Sequence, residues 1–206
     1  MNKDREEKYN FELADFYITV DSIAGLPLDT GKEIAVIGRS NSGKSSLINT
    51  LTNKKRLAFT SKTPGRTQQI NFFDIKNGNF LVDLPGYGYA QLSHDIQRHL
   101  SRLIGGYLSD RQPLIGLIII MDIRRPFTEL DYNMIDEFLP QEKPIHIVLS
   151  KSDKLSPNQA KQALASTLKT LSHYVSPKIP VTVQTFSSLN KNGLDELQKI
   201  LTSWVS

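Results

Sequence analysis

The sequence predicts a three-layer α/β fold: a mixed sheet of six strands, mainly parallel with one antiparallel edge strand, covered by helices on both faces. Three observations lead there. Short apolar runs alternate with helical patterns along most of the chain. Several of those runs are apolar without interruption, as strands buried on both faces are. One pair of runs is separated only by Lys76, Asn77 and Gly78, a hairpin signal that makes one strand antiparallel. At 206 residues the chain suffices for one well-buried domain and is short for two.

Taken in order, residues 1–30 read as an N-terminal extension packing on or flanking a single domain at 31–206. Their polar start, MNKDREEKYN, predicts no signal peptide or transit sequence. Strands are expected near 34–37, 69–75, 79–83, 114–122, 145–150 and 181–186. The longest apolar stretch, LIGLIIIM at 114–121, is too short for a bilayer, which needs about 20 residues, and reads as a buried strand. Helical spacing puts Ile96, Leu100, Leu103, Ile104 and Tyr107 on one face, then Ala160, Ala163, Leu164, Leu168 and Leu171, then Leu194, Leu197, Leu201 and Trp204. Thr128 with Asp131 resembles a capping box, and Ser156 before Pro157 marks a helix start.

Charge and composition narrow the partners. Residues 1–30 hold three basic and seven acidic residues, so they carry −4 and the remainder +8 of the total of +4. A basic body suits a polyanion such as nucleic acid. The absence of cysteine excludes disulfides and thiolate metal sites and fits a reducing cytoplasm.

In sheets of this kind ligands bind at the carboxyl ends of the strands. The loop after Ile37 reads GRSNSGKS: Gly38, Arg39, Ser40, Asn41, Ser42, Gly43, Lys44 and Ser45 fit GxxxxGK[ST] between a strand and a helix. Its glycines allow backbone N–H groups to wrap phosphate oxygens, Lys44 can reach the β- and γ-phosphates, and Ser45 can ligate Mg²⁺. The fold class becomes a P-loop NTPase, whose loop kinases, ATPases and GTPases share; only with the further motifs and the resemblance below does it narrow to a Ras-like G domain. The base is read elsewhere. In SKSD, Ser150, Lys151, Ser152 and Asp153, the Asp153 carboxylate can accept both N1–H and N2–H₂ of guanine, whereas adenine offers no such donor pair. Lys151 can lay its stem over the ring. Asp83, Leu84, Pro85 and Gly86 have the DxxG spacing that sets a carboxylate near Mg²⁺ and a backbone N–H near the γ-phosphate. Thr67 can offer a hydroxyl to Mg²⁺, with Thr60 and Thr63 as competing candidates. Backbone N–H groups of Phe186, Ser187 and Ser188 can support guanine O6.

Together GRSNSGKSS, TSKTPGRTQ, DLPGYGYA and SKSD resemble the EngB family, within the GTPases that also include TrmE, Era, EngA and septins, over almost the whole chain from about residue 10. The resemblance implies a GTP-binding protein that hydrolyses GTP and acts in assembly of the large ribosomal subunit, with links to cell division and septation. It carries the Mg²⁺ ligands onto Ser45 and Thr67, the first switch onto Gly65, Arg66, Thr67, Gln68 and Gln69, the second onto Asp83–Gly86, and the catalytic set onto Lys44, Asp83, Gly86 and Thr67. GTPases at large have asparagine where this chain has Ser150, which predicts a weaker tether between base loop and phosphate loop. Ras-type enzymes place a water-orienting glutamine where Tyr87 stands, which predicts slow hydrolysis. Two remedies stay open: a K⁺ ion at Asn41, where related GTPases hold one, or completion of the site by the ribosomal partner. Lys54, Lys55, Arg56, Lys62 and Arg66 are candidate RNA contacts, with Arg124 and Arg125 as a second patch. The large subunit or its precursor, through its rRNA and proteins, is the expected partner; DNA and stable membrane attachment are not, and a monomer is expected. A scaffold without significant hydrolysis and a P-loop kinase are the competing readings.

Overall fold

The computed structural model of the chain describes residues 9–59, 68–88, 92–172, 174 and 179–206. Among the described residues seven strands form one sheet: β1 (Asp15–Val20), β2 (Lys32–Gly38), β3 (Ile70–Asp74), β4 (Asn79–Asp83), β5 (Leu114–Asp122), β6 (Ile145–Ser150) and β7 (Val181–Thr185), in the order β1-β3-β4-β2-β5-β6-β7. Five α-helices of the described residues accompany them: α1 (Lys44–Leu51), α2 (His94–Asp110), α3 (Glu129–Phe138), α4 (Pro157–Leu171) and α5 (Leu194–Val205). The six expected strands are present and the sheet is mixed and mainly parallel.

The expected count of six and the place of the edge strand are corrected. β3 is antiparallel to β4, but it is not the edge, because β1 pairs with it in turn, from Asp15 opposite Asp74 to Val20 opposite Ile70. β1 escaped the sequence pattern because its first four residues are exposed and a bulge interrupts its register between Phe16 and Ile18, which spoils the period of two. Its pairing partner, from Ile70 to Asp74, is remote in sequence, so no local signal announces it. Residues of the amino-terminal segment also enter the core: Phe11 and Ala14 are buried with β2 and α1.

The layers follow from the alternation of side chains along the central strand. In β2, Ile34 and Val36 face Leu47, Ile48, Leu197 and Leu201 of α1 and α5. Ala35 and Ile37 face the other core, with Leu103 and Tyr107 of α2 and Ile135 and Phe138 of α3. All four β2 residues are fully buried, so an unbroken apolar run is what this position demands. At the β3–β4 turn, Lys76, Asn77 and Gly78 all have positive φ. The helix starts obey their caps: Ser156 accepts from Gln159 N–H while its own N–H donates to the Gln159 side chain at 3.0 Å, and Thr128 N–H donates to Asp131 at 2.7 Å. At the opposite end from the site, Glu33 is buried and accepts from Tyr107 (2.8 Å) and Arg111, whose guanidinium also donates to Pro27 O at 2.9 Å. That cluster fastens the segment before β2 to the end of α2.

His146, buried in β6, bridges Thr182 Oγ1 (2.8 Å) and Gln184 Oε1 (3.0 Å) of β7. Burial pushes its pKa down to about 4. The folded protein therefore holds a neutral ring that the unfolded chain protonates near pH 6.5, so this stabilisation is complete above that pH and is lost as pH falls toward 4. Urea midpoints measured at pH 7 and pH 4 should show about 3 kcal/mol of lost stability from this ring, and H146Q should remove that part of the slope.

Candidate nucleotide-binding site

Every predicted loop that is described falls at the carboxyl end of the parallel strands. After β2 the chain turns back on itself at Gly38, where a Cβ would lie 2.5 Å from the Ile120 carbonyl oxygen and 2.6 Å from Ser42 Oγ. No side chain fits there. Asn41 (φ 62) and Gly43 (φ 103) then take left-handed conformations, curling the backbone so that its N–H groups converge where α1 begins. α1 has no side-chain cap at its amino end, and its first N–H groups are left for an anion. Lys44 is buried and its ammonium donates to the Asp83 carboxylate, itself 2% exposed at the end of β4. This ion pair brings the phosphate loop and the DxxG carboxylate together. The Ser45 hydroxyl, half-buried one residue on, makes no hydrogen bond among the described residues.

The base loop is bolted to the phosphate loop. Ser150, the last residue of β6, is buried, and its hydroxyl proton is shared between the carbonyls of Ser42 and, at 3.1 Å, Met121. One proton serves two acceptors, as a hydroxyl in place of a carboxamide dictates. Lys151 adds a second tie: in the left-handed region (φ 60), it donates to Asn41 O at 2.6 Å and to Asp122 Oδ2 at 3.0 Å. Asp122 also receives the Arg124 guanidinium at 2.9 and 2.6 Å. Burial alone would raise its pKa, but the hydrogen bonds from Arg124 and Lys151 outweigh it and hold the carboxyl well below the usual range. Sequence reasoning passed over Asp122. A carboxylate ending a buried apolar strand at the ligand edge of the sheet was the available signal.

Asp153 follows in a 3-10 turn, its Oδ1 accepting from Ser187 Oγ at 2.6 Å. That hydrogen bond lowers its pKa below the usual 3.8. Ser152 N–H donates to Phe186 O (3.0 Å) and Phe186 N–H to Leu149 O (2.8 Å), which seats the last loop beside Asp153. Ser187 N–H donates to Asn192 O at 3.0 Å. Of the three N–H groups expected to meet a base oxygen, two are thus spent on the fold. Ser188 N–H makes no hydrogen bond among the described residues and is the one free to do so.

In the second switch, Leu84 N–H donates to Val36 O (3.0 Å), and Pro85 and Gly86 lead to Tyr87. The backbone of Tyr87 bridges the phosphate loop: its N–H donates to Gly38 O at 3.2 Å and its carbonyl accepts from Ser40 N–H at 3.0 Å. Its phenol donates to Asp131 Oδ1 at 2.7 Å. Gln68 and Gln69 immediately precede β3, while Gly65, Arg66 and Thr67, with the rivals Thr60 and Thr63 and the basic Lys62, lie outside the described residues.

A mixed, mainly parallel sheet with a GxxxxGK[ST] loop, a DxxG carboxylate and the SKSD aspartate at one edge is the architecture of a P-loop GTPase. Residues 33–151 match the family model described as a 50S ribosome-binding GTPase. Probable GTP-binding proteins EngB are similar throughout: that of Neisseria meningitidis serogroup C is 54% identical over 94% of this chain and 92% of the relative, and that of Ralstonia pickettii 49% identical over 93% and 86%. The chain belongs to the EngB family of GTP-binding proteins. Among solved structures, a probable GTP-binding protein EngB superposes with a TM-score of 0.67 at 19% identity, covering 84% of this chain and 98% of that one. Era in complex with MgGDPNP and a segment of 16S ribosomal RNA gives 0.66 at 23% identity, covering 85% and 57%. At these identities the superpositions speak for the fold alone.

Two substitutions test the geometry. S150A leaves the Ser42 carbonyl without its buried donor, a loss of about 1–2 kcal/mol, so the Kd for fluorescent GDP should rise roughly tenfold. G38A forces a methyl group against the Ile120 carbonyl and should lower both the thermal midpoint and nucleotide binding in a melting assay with and without GDP.

Proposed function

We propose that the protein is a GTP-dependent switch with slow intrinsic hydrolysis, acting in the cytoplasm in assembly of the large ribosomal subunit and thereby in growth, cell division and septation. The observation that carries the guanine reading is Asp153, an acceptor-only carboxylate that accepts from Ser187, in a loop tied directly to the phosphate loop. An amino-imino edge satisfies it and adenine does not. An aspartate is ionised at neutral pH in any case, and the Ser187 hydrogen bond lowers this one further, so it loses its charge only below the usual 3.8.

In this reading the triphosphate takes over the Lys44 ammonium from Asp83, and the curled backbone from Asn41 to Lys44 encloses its oxygens. Mg²⁺ fits the residues present: Ser45, whose hydroxyl makes no hydrogen bond among the described residues, follows directly on the Lys44 that is paired with the buried Asp83 carboxylate. No group of three or more His, Cys, Asp or Glu that could hold a metal exists among the described residues, which suits an ion that takes only one or two protein oxygens and completes its shell with phosphate and water. Ser45 and Thr67 would hold it, and when bound it supplies positive charge against the phosphates. Tyr87, where a water-orienting glutamine would serve hydrolysis, has its side chain turned to Asp131, which supports slow turnover and also keeps the scaffold reading in play. K⁺ at Asn41 or a partner's cation would supply the missing charge. The kinase reading loses ground, since Arg124, half of its only compact arginine pair, is engaged by Asp122.

For the ribosomal contact, Lys55 and Arg56 are exposed beside α1, whereas Lys54 is engaged with Asp15 at 2.5 Å. rRNA is the fitting partner for such a surface. No described helix is long and apolar enough to cross a membrane.

Competition of GTP, GDP, ATP and XTP for a fluorescent guanine nucleotide tests base selection: the wild type should ignore ATP, and D153N should lose guanine affinity at least a hundredfold while gaining xanthine binding. Preference for adenylates would end this reading. K55A/R56A should weaken co-sedimentation with large subunits and flatten its salt dependence while leaving GDP affinity within twofold; unaltered sedimentation would remove that surface.

A further inference from the structure

Tyr87 is held at both ends. Its backbone is stitched across the phosphate loop by the bonds to Gly38 and Ser40, and its phenol is bound by Asp131. Asp131 is fully buried at the start of α3 and cannot yield, because its other oxygen accepts from Thr128 N–H (2.7 Å) and Thr128 Oγ1 (2.8 Å). One carboxylate therefore both caps α3 and anchors the second switch. The residue immediately before Tyr87 is Gly86, whose N–H the GTP reading requires to turn toward a third phosphate. In the present arrangement the Tyr87 carbonyl occupies the Ser40 N–H at the rim of the loop, and a carbonyl dipole there opposes an incoming anion. GDP lacks that phosphate and makes no such demand. Beside the switch, among the described residues, lies an open pocket of about 400 Å³ lined by Gly86, Tyr87, Leu100, Ile104 and Leu130 among others.

We propose that Asp131 is a positioning residue that latches the second switch through the Tyr87 hydroxyl in the arrangement suited to GDP, and so sets how strongly the protein prefers GDP over GTP. The latch acts on a two-state element: only a ligand with differential affinity for the open arrangement shifts it, and the third phosphate is that difference. Burial and the neighbouring Asp131 carboxylate raise the pKa of the phenol, so the donor keeps its proton across the neutral range.

The proposal rests on guanine-nucleotide binding at this site, and the experiment separates the two. Affinities for fluorescent GDP and for a non-hydrolysable GTP analogue are measured by stopped flow for wild type, Y87F, D131A and Y87F/D131A, with circular dichroism to verify folding; alanine is used at 131 because an asparagine would still hydrogen-bond the phenol. Y87F keeps the ring and its packing. Both single variants should bind the GTP analogue about tenfold more tightly, with GDP affinity within twofold of wild type, and the double variant should gain no more than either single one. A GTP-to-GDP affinity ratio unchanged within twofold in Y87F, or additive gains in the double variant, would overturn the latch while leaving guanine binding intact. Failure of the wild type to bind either guanine nucleotide would overturn the underlying reading as well.

Discussion

Two carbonyl oxygens of the phosphate loop, those of Asn41 and Ser42, receive Lys151 and Ser150 from the far side of β5. Through these contacts the GxxxxGK[ST] loop after β2 and the SKSD loop after β6 are tied together. The arrangement works because β2 and β6 flank β5 in parallel, delivering their carboxyl ends side by side. Were either strand reversed, the loops would lie at opposite edges of the sheet. Met121 and Asp122, at the end of the intervening strand, fill the gap with a carbonyl for Ser150 and a carboxylate for Lys151.

Charge is placed with the same economy. Lys44 and Asp83 form a nearly buried pair whose desolvation is costly unless both partners are satisfied. Each satisfies the other. Asp122 serves Lys151 and Arg124, and Asp131 serves Thr128 and Tyr87. Each of these carboxylates joins the cap or turn of its own segment to a residue from another loop, so a local folding feature also positions the site.

Much of this was legible along the chain. The runs at 79–83, 114–122 and 145–150 coincide with β4, β5 and β6, because strands buried on both faces are largely apolar and are bounded by abrupt polar loops. The caps at Ser156 and Thr128, and the turn at Asn77 and Gly78, are local chemistry and were equally plain. The phosphate loop was legible for a stricter reason: glycine at 38 and 43, with lysine at 44, answers steric and electrostatic demands that few other sequences meet.

β1 was not legible, since an exposed and bulged edge strand has no apolar period and its partner is remote in sequence. Nor was the allocation of hydrogen bonds at the last loop, where Phe186 and Ser187 turn their N–H groups inward to Leu149 and Asn192. The chain alone determined which residue types stand in the loops and which strands lead to them, because those depend on neighbours within a few positions. Only the tertiary structure decided which donors are spent, that Asp122 holds Lys151 and that Tyr87 turns to Asp131. Such choices are made between groups tens of residues apart, by burial and geometry that exist only once the sheet has closed around them.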